Sequence, residues 1–407
     1  MDAATKLGQR LPSKKKRAHN IPNVILGGES ETNLLEAMCN CATFMFSCNL
    51  DPSTVDLSTE FEQSSVEQRV TRALYLFWGE FEQSLKDKGI VLFDRLFMRY
   101  SDNSQNADAY KDITCDALAS LSTLMIDEFQ DIAPIQAAWI CGVFRELNAR
   151  LDRELEHAQT SAERAEVTRK RPSLMVVGDS KQSIYGWRGS SPHFFNRFEK
   201  HFPSAAPGAT LFMSTNFRSQ QKIIDFAELL LVKFGKEDDR SPRSQSGADL
   251  APLPVKLLTP KGDDESQASI LEKILQEHPK KSVMVVAGTH AEKSVAYQVN
   301  GTHGCSLSAH TIHSSKGLEA DIIVVIGDCN YARKAVFKNA AYRKADMPTS
   351  YNEAQIHESR RLAYVAITRG KERAYWITCA NPKGALADVL DKSIDRASGC
   401  WTKAAEV

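Results

Sequence analysis

At 407 residues the chain is too long for one ordinary hydrophobic core, so two or three domains are expected. Apolar residues make up 42%, and 51 Lys plus Arg balance 51 Asp plus Glu, so any basic surface must be local and net charge decides nothing about partners. There is no uncharged apolar run of about 18 residues and no apolar signal core at the start, which argues for a soluble intracellular, cytoplasmic protein.

Residues 1–30, including "SKKKRAHN" (13–20), read as a flexible basic N-terminus; a localisation or phosphate-contacting patch is the alternative. Residues 31–100 read as helical, with Val70, Ala73, Leu74, Phe77 and Phe81 recurring at helical spacing as a core stripe. The nine cysteines are scattered; Cys39, Cys41 and Cys48 cluster but lack CxxC spacing and nearby histidines, so reduced buried thiols are expected rather than a metal site.

From Leu118 onward the texture becomes strands alternating with helices, the pattern of a parallel α/β sheet covered on both faces. The expected strands are "TLMID" (123–127), "SLMVVGD" (173–179), "ATLFMS" (209–214), "SVMVVAG" (282–288), "DIIVVIG" (321–327) and "RAYWITC" (373–379). Residues 152–171 are charge-dense and apolar-poor, a solvated helical excursion, and 235–254 have loop composition.

The first of these strands delivers Asp127 and Glu128 at its carboxyl end, where open α/β sheets bind ligands. Such acids can hold Mg²⁺ and orient an attacking water, although two letters alone equally describe an exposed loop. The second strand ends in Gly178 and Asp179, followed by Gln182, Tyr185, Trp187 and Arg188. Glutamine can report on a phosphate, and aromatics beside an arginine make stacking platforms for unpaired bases; ordinary packing is the alternative.

In order along the chain, "DEFQD", "GDSKQSIYGWRG", "STNFRS" (214–219), "HTIHSSKGLEADIIVV" (310–325) and "ESRRLAYVAITRGKE" (358–372) resemble motifs II to VI of superfamily 1 DNA helicases of the UvrD type, including the AddA and RecB branch. The likeness covers about residues 90–380. It implies two RecA-like motor domains with ATP and Mg²⁺ between them and single-stranded DNA across their tops. On that basis 31–115 would be a helical accessory region, 116–207 a partial first motor domain, 208–385 a second one and 386–407 a tail.

The resemblance implies Asp127 as Mg²⁺ ligand, Glu128 as base beside the metal and Gln182 as γ-phosphate sensor. It makes Tyr185, Trp187, Arg188, Thr311 and His313 contacts to DNA, Phe217 the stack on adenine and Arg218 a γ-phosphate arginine. Gly317 and Glu319 would lie beside the nucleotide, and Arg369 would be the arginine finger. The implied partners are single-stranded DNA and 3′-tailed duplex.

Several positions depart from the family pattern. Ser359 stands where a second acid is usual, Gly370 follows Arg369 in place of alanine, and the second motor domain has little room for a large insertion. No GxxxxGK[ST] occurs in the sequence, although that loop wraps phosphates in the family; "GTHAEKS" (288–294) lacks its second glycine and reads as a strand-to-helix turn. The expectation is therefore an N-terminally truncated ATP-dependent 3′-to-5′ helicase. The alternatives are a non-hydrolysing DNA-binding remnant and one part of a split helicase completed by a partner chain that brings the loop.

Overall fold

The computed structural model describes residues 21–27, 30–99, 121–202, 208–231, 242–245, 255–258, 266–329, 334–378 and 401–403. The basic stretch 13–20, the onset of the α/β pattern at Leu118, most of 235–254 and most of the tail lie outside them.

A two-residue hairpin, β1 (Asn23–Val24) against β2 (Thr32–Asn33), leads into helices Leu34–Ser47, Val66–Lys86 and Phe93–Arg99. Asn33 and Ser65 cap the first two by accepting the N–H of Glu36 and Gln68, satisfying donors the helix itself cannot. The buried seam of the second helix is Val70, Thr71, Leu74, Trp78 and Glu82, so the expected stripe is corrected at Phe77, which is 41% exposed. Trp78 takes the seam instead, donating to Glu82 Oε1 at 2.8 Å, and Arg95 ties Glu82 to Asp51 at 2.7 Å on each side. Cys41 and Cys48 are buried in this helical core and Cys39 is exposed. The core continues across the sequence: Phe44 stacks on Tyr342 at 5.8 Å and meets Tyr351 edge-on at 5.7 Å.

β3 (Thr123–Ile126) lies parallel to β4 (Ser173–Val176). The expected two-sided cover is not seen among the described residues. Ile126, Leu174 and Val176 pack on Phe129, Ile140 and Phe202, whereas Met125 and Met175 on the opposite face are 71% and 51% exposed. Helices Pro134–His157 and Ser161–Arg169 connect the two strands, and the end of the first together with the second carries the exposed charges read from residues 152–171.

The strand expected at 209–214 is also corrected. Leu211 and Met213 are 88% and 85% exposed, and the ladder forms two residues later, where β5 (Thr215–Asn216) pairs with β6 (Arg243–Ser244). An apolar run becomes a strand only where a partner can take its backbone hydrogen bonds.

The remaining strands are β7 (Val255–Leu258), β8 (Ser282–Ala287), β9 (Ser306–Thr311), β10 (Ala320–Ile326), β11 (Gly370–Ile377) and β12 (Trp401–Lys403), which form one parallel sheet in the order β12-β7-β11-β10-β8-β9. β8 and β10 are nearly continuous Val/Ile runs because both faces are covered. Ile323, Val325 and Trp376 face helices Gln221–Leu229 and Tyr351–Ile367, while Ile322, Val324 and Tyr375 face helix Gln267–Glu277. β9 was not expected as a strand: it is the sheet's edge, half-buried, and so tolerates the polar string SLSAHT. The "GTHAEKS" segment is a strand-to-helix turn, with Thr289 and Glu292 forming a capping box.

Candidate functional site

The carboxyl end of β3 turns sharply. Glu128 has φ +52° and ψ +36°, a left-handed conformation that costs a β-carbon-bearing residue about 1–2 kcal/mol, and its N–H donates to Asp127 Oδ1 at 2.8 Å. Gln130, 1% exposed, explains how the turn is held. Its Nε2 donates to Glu128 Oε2 and its Oε1 accepts the N–H of Asp179 at 2.9 Å, tying the ends of β3 and β4 together. Gly178 leaves the space for this, since an added Cβ would lie 2.2 Å from Gln130 Oε1. Gly178→Ala is expected to cost about 1–3 kcal/mol in urea unfolding by leaving buried donors unpaired, while Gly208→Ala, whose Cβ would meet nothing within 4 Å, shifts stability by less than about 0.5 kcal/mol.

Asp179 orients the next group. Its Oδ1 accepts Lys181 N–H at 3.0 Å and its Oδ2 accepts Gln182 Nε2–H at 2.9 Å. The amide oxygen of Gln182 therefore faces the other half of the chain, where Arg369 Nη2 donates to it at 3.1 Å. Arg369 is 1% exposed and also donates from Nε to Val365 O at 2.9 Å. Burial, with nearby Arg218 adding to it, pulls its guanidinium down to about 10, against the pull of Tyr364, Asp179 and Glu128. It stays charged at neutral pH, and these opposing fields mark a convergence of Arg218, Asp179 and Glu128 around it.

Lys316 is the bridge that sequence reading passed over. Its Nζ lies 3.1 Å from Glu128 Oε2, pairs with Asp131, donates to Gln182 O at 3.2 Å and sits 5.4 Å from the centre of the Tyr185 ring. Gly317 at φ +83° has no neighbour within 4 Å of a Cβ position, so glycine serves conformation there, letting the chain turn back after Lys316. Glu319 accepts from Arg218 Nε at 2.9 Å and from Lys371 Nζ at 2.7 Å; Lys371 first and Arg218 second hold its carboxyl below its usual range. Phe217 beside them is 70% exposed, an aromatic face at the mouth of the cluster.

The second group of expected residues lies next to the first. Trp187 is 41% exposed, with the Arg188 guanidinium 4.4 Å from its ring centre and 6.0 Å from that of Tyr185. His313 packs on both rings, at 5.8 Å from Tyr185 and 6.2 Å from Trp187. Its Nε2 is engaged by Ile184 O at 3.0 Å, and burial holds its pKa below the ordinary value. His313 therefore braces the aromatic pair rather than presenting that nitrogen outward. Thr311 Oγ1 bonds Ser314 Oγ at 2.9 Å and stiffens the turn that delivers His313. The other partners that sequence reading missed are Gln130, Glu358, Arg361 and Lys371. Each sits beside a residue that was found, and each works through a contact far away in sequence.

Two parallel-sheet units thus present acids, a glutamine and two arginines around one crevice, with an aromatic and basic surface alongside. A sequence model of the UvrD/REP helicase N-terminal domain matches residues 12–203, and one of the UvrD-like helicase C-terminal domain matches 302–381. DNA helicase IV of Escherichia coli is 25% identical over 67% of this chain and 36% of its own length, and a probable DNA helicase of Mycoplasma pneumoniae is 25% identical over 51% and 38%. DNA helicase II of Escherichia coli is 33% identical over 27% of this chain and 12% of its own length. The chain spans well under half the length of these curated relatives. It belongs to the UvrD-type superfamily 1 DNA helicase family, an α/β protein built on RecA-like parallel sheets. Among the described residues no helix is long and apolar enough to cross a membrane.

Proposed function

We propose that this chain supplies the hydrolytic and strand-gripping parts of a cytoplasmic ATP-dependent motor that moves 3′ to 5′ along single-stranded DNA and opens 3′-tailed duplex. The observation that carries the reading is the hydrogen bond from Arg369 to Gln182, with Lys316 joining Gln182 to Glu128. Groups from opposite halves of the sequence meet where hydrolysis and strand binding have to communicate.

In this reading Asp127 and Glu128 hold Mg²⁺. Among the described residues no three His, Cys, Asp or Glu gather as a metal cage, and Mg²⁺ suits such a place because it is commonly held by one or two carboxylates with phosphate oxygens and water. When bound, the metal would neutralise phosphate charge. Glu128 takes the proton from water, Arg218 and Arg369 balance charge on the transferred phosphoryl group, and Gln182 senses it. Phe217 stacks on adenine with Gly317 and Glu319 at the ribose. Tyr185, Trp187, Arg188 and Thr311 carry the strand, with His313 behind them.

The phosphate-wrapping loop is the part this sequence does not contain, since no GxxxxGK[ST] occurs in it; it would come from outside these residues, for example from a partner chain. The same observation favours a second reading, a strand-binding protein that does not hydrolyse ATP. Phosphate release from ATP with Mg²⁺ and oligothymidylate decides between them. In the motor reading Glu128→Gln lowers the DNA-stimulated rate by about 10²–10⁴, and equal rates in the two proteins overturn the role of Glu128. Salt-sensitive binding of oligothymidylate with no phosphate release and no response to ATP supports the second reading.

A further inference from the structure

The turn that carries Trp187 is held from below by a distant helix. Glu358 on Tyr351–Ile367 is 3% exposed; its carboxylate takes the Nε2–H of Gln355 at 2.9 Å and lies against the Gly186–Trp187 backbone, whose N–H groups draw its pKa down. Three residues on, Arg361 Nε donates to Ser183 O at 2.6 Å. Gly186 admits the carboxylate because an added Cβ would lie 2.2 Å from Glu358 Oε2. On the exposed side Lys338 Nζ donates to Trp187 O at 3.3 Å. Arg361 and Lys338 bond the backbone of the turn, Glu358 lies against it, and Gln355 orients Glu358, so together they fix where the Trp187 ring and the Arg188 guanidinium stand.

An ionised carboxylate only accepts, whereas a protonated one must place an O–H among its partners. The Gly186 and Trp187 N–H groups that face the carboxylate are backbone and cannot turn away, so a proton on it sets donor against donor. The groups facing Glu358 are Arg361 and Gln355 on its own helix and Tyr342 on helix Val336–Lys344, whose hydroxyl is pushed up by burial, Cys48 and Glu358. Lys338 lies on that same helix. Burial pushes the Glu358 carboxyl up to about 7, against the opposing pull of Arg361, Gln355 and the N–H groups of Trp187 and Gly186.

We propose that Glu358 is a positioning residue for strand binding: its ionised carboxylate holds the Gly186–Trp187 backbone so that Trp187 and Arg188 form one stacking surface, and grip on single-stranded DNA weakens when it takes up a proton. The proposal rests on the reading that Trp187 and Arg188 bind the strand. Affinity is then full above about pH 7 and falls as pH drops through that value. This is opposite to the usual trend, in which added positive charge at low pH strengthens phosphate contacts. It is also opposite to folding stability: with the carboxyl raised in the folded chain, the ionised form is the costly one, so stability rises as pH falls through 7 toward the ordinary carboxyl range. A weaker grip at lower pH therefore does not come from unfolding.

The test is fluorescence anisotropy of labelled oligothymidylate with the full chain, at constant ionic strength, from about pH 8.5 down to about pH 6, the range in which such a carboxyl changes charge. Wild-type affinity is expected to fall about tenfold, the worth of a lost hydrogen bond to a charged group. Glu358→Gln is expected to bind at the top of the range as weakly as wild type does at the bottom, with a flat profile. A flat wild-type profile, or a Glu358→Gln profile that overlays a sloping wild-type one, overturns the proposal. Gly186→Ala, whose methyl group displaces the carboxylate, is expected to give the same weak, flat profile and stands in if Glu358→Gln does not fold; there too a wild-type slope is the adverse result. Trp187→Ala binding as tightly as wild type overturns the underlying strand-binding reading instead.

Discussion

In the proposed motor reading, Arg369→Ala is expected to lower DNA-stimulated ATP hydrolysis by about 10³–10⁵, the range an arginine balancing transition-state charge contributes. The guanidinium is buried and forked: one branch donates to Val365 O at 2.9 Å and the other to Gln182 Oε1 at 3.1 Å. Its removal also leaves the Gln182 amide oxygen without that donor, which costs about 1–3 kcal/mol. Arg369→Lys separates the two losses. A lysine keeps the charge but cannot reproduce the planar fork, so stability should recover more than the hydrolysis rate does. Phosphate release and urea unfolding on the same protein samples measure the two effects. A hydrolysis rate in Arg369→Ala within about tenfold of wild type would remove the arginine from the transition state.

The second large effect falls on the sheet that carries Arg369. Trp376 on β11 is 0% exposed, meets Phe226 edge-on at 6.1 Å and donates from Nε1 to Gly327 O at 2.7 Å. Trp376→Ala should cost about 3–5 kcal/mol, the range for emptying a large aromatic site in a core. That is a large share of the 5–15 kcal/mol that holds an ordinary domain folded. Trp376→Phe keeps most of the ring volume and loses chiefly the hydrogen bond, about 1–3 kcal/mol. Urea unfolding followed by circular dichroism ranks the variants, and a loss below about 1 kcal/mol in Trp376→Ala would show that this sheet face does not rely on the ring.

Legibility differed between the two halves of the chain for a physical reason. Strands buried on both faces must be apolar throughout, so β8 and β10 stood out as VMVV and IIVV. β9 did not, because an edge strand is released from that demand, and the run at 209–214 misled because apolarity without a pairing partner makes no ladder among the described residues. In the helical region the stripe was right at Val70 and Leu74 but drifted at Phe77, since 3.6 residues per turn moves the seam on to Trp78 over a long helix. The expected site residues Asp127, Glu128, Gln182, Arg218, Glu319 and Arg369 converge, whereas the contacts that aim them were silent in the sequence.

Residue type and order alone pointed to the family and to the proposed chemistry: paired acids after a strand, a glutamine and aromatics after the next, arginines later, all in one family's order. Those features are local, written within a few residues by what a strand end or a stacking surface requires. Tertiary structure alone decided that Gln130 fills the space left by Gly178, that Lys316 spans Glu128 and Gln182, and that Glu358 lies against Gly186 beneath Trp187. Each of these satisfies a buried donor or charge, and which partner reaches it depends on chain packing across distant segments, as from Glu128 to Lys316, which no local pattern encodes.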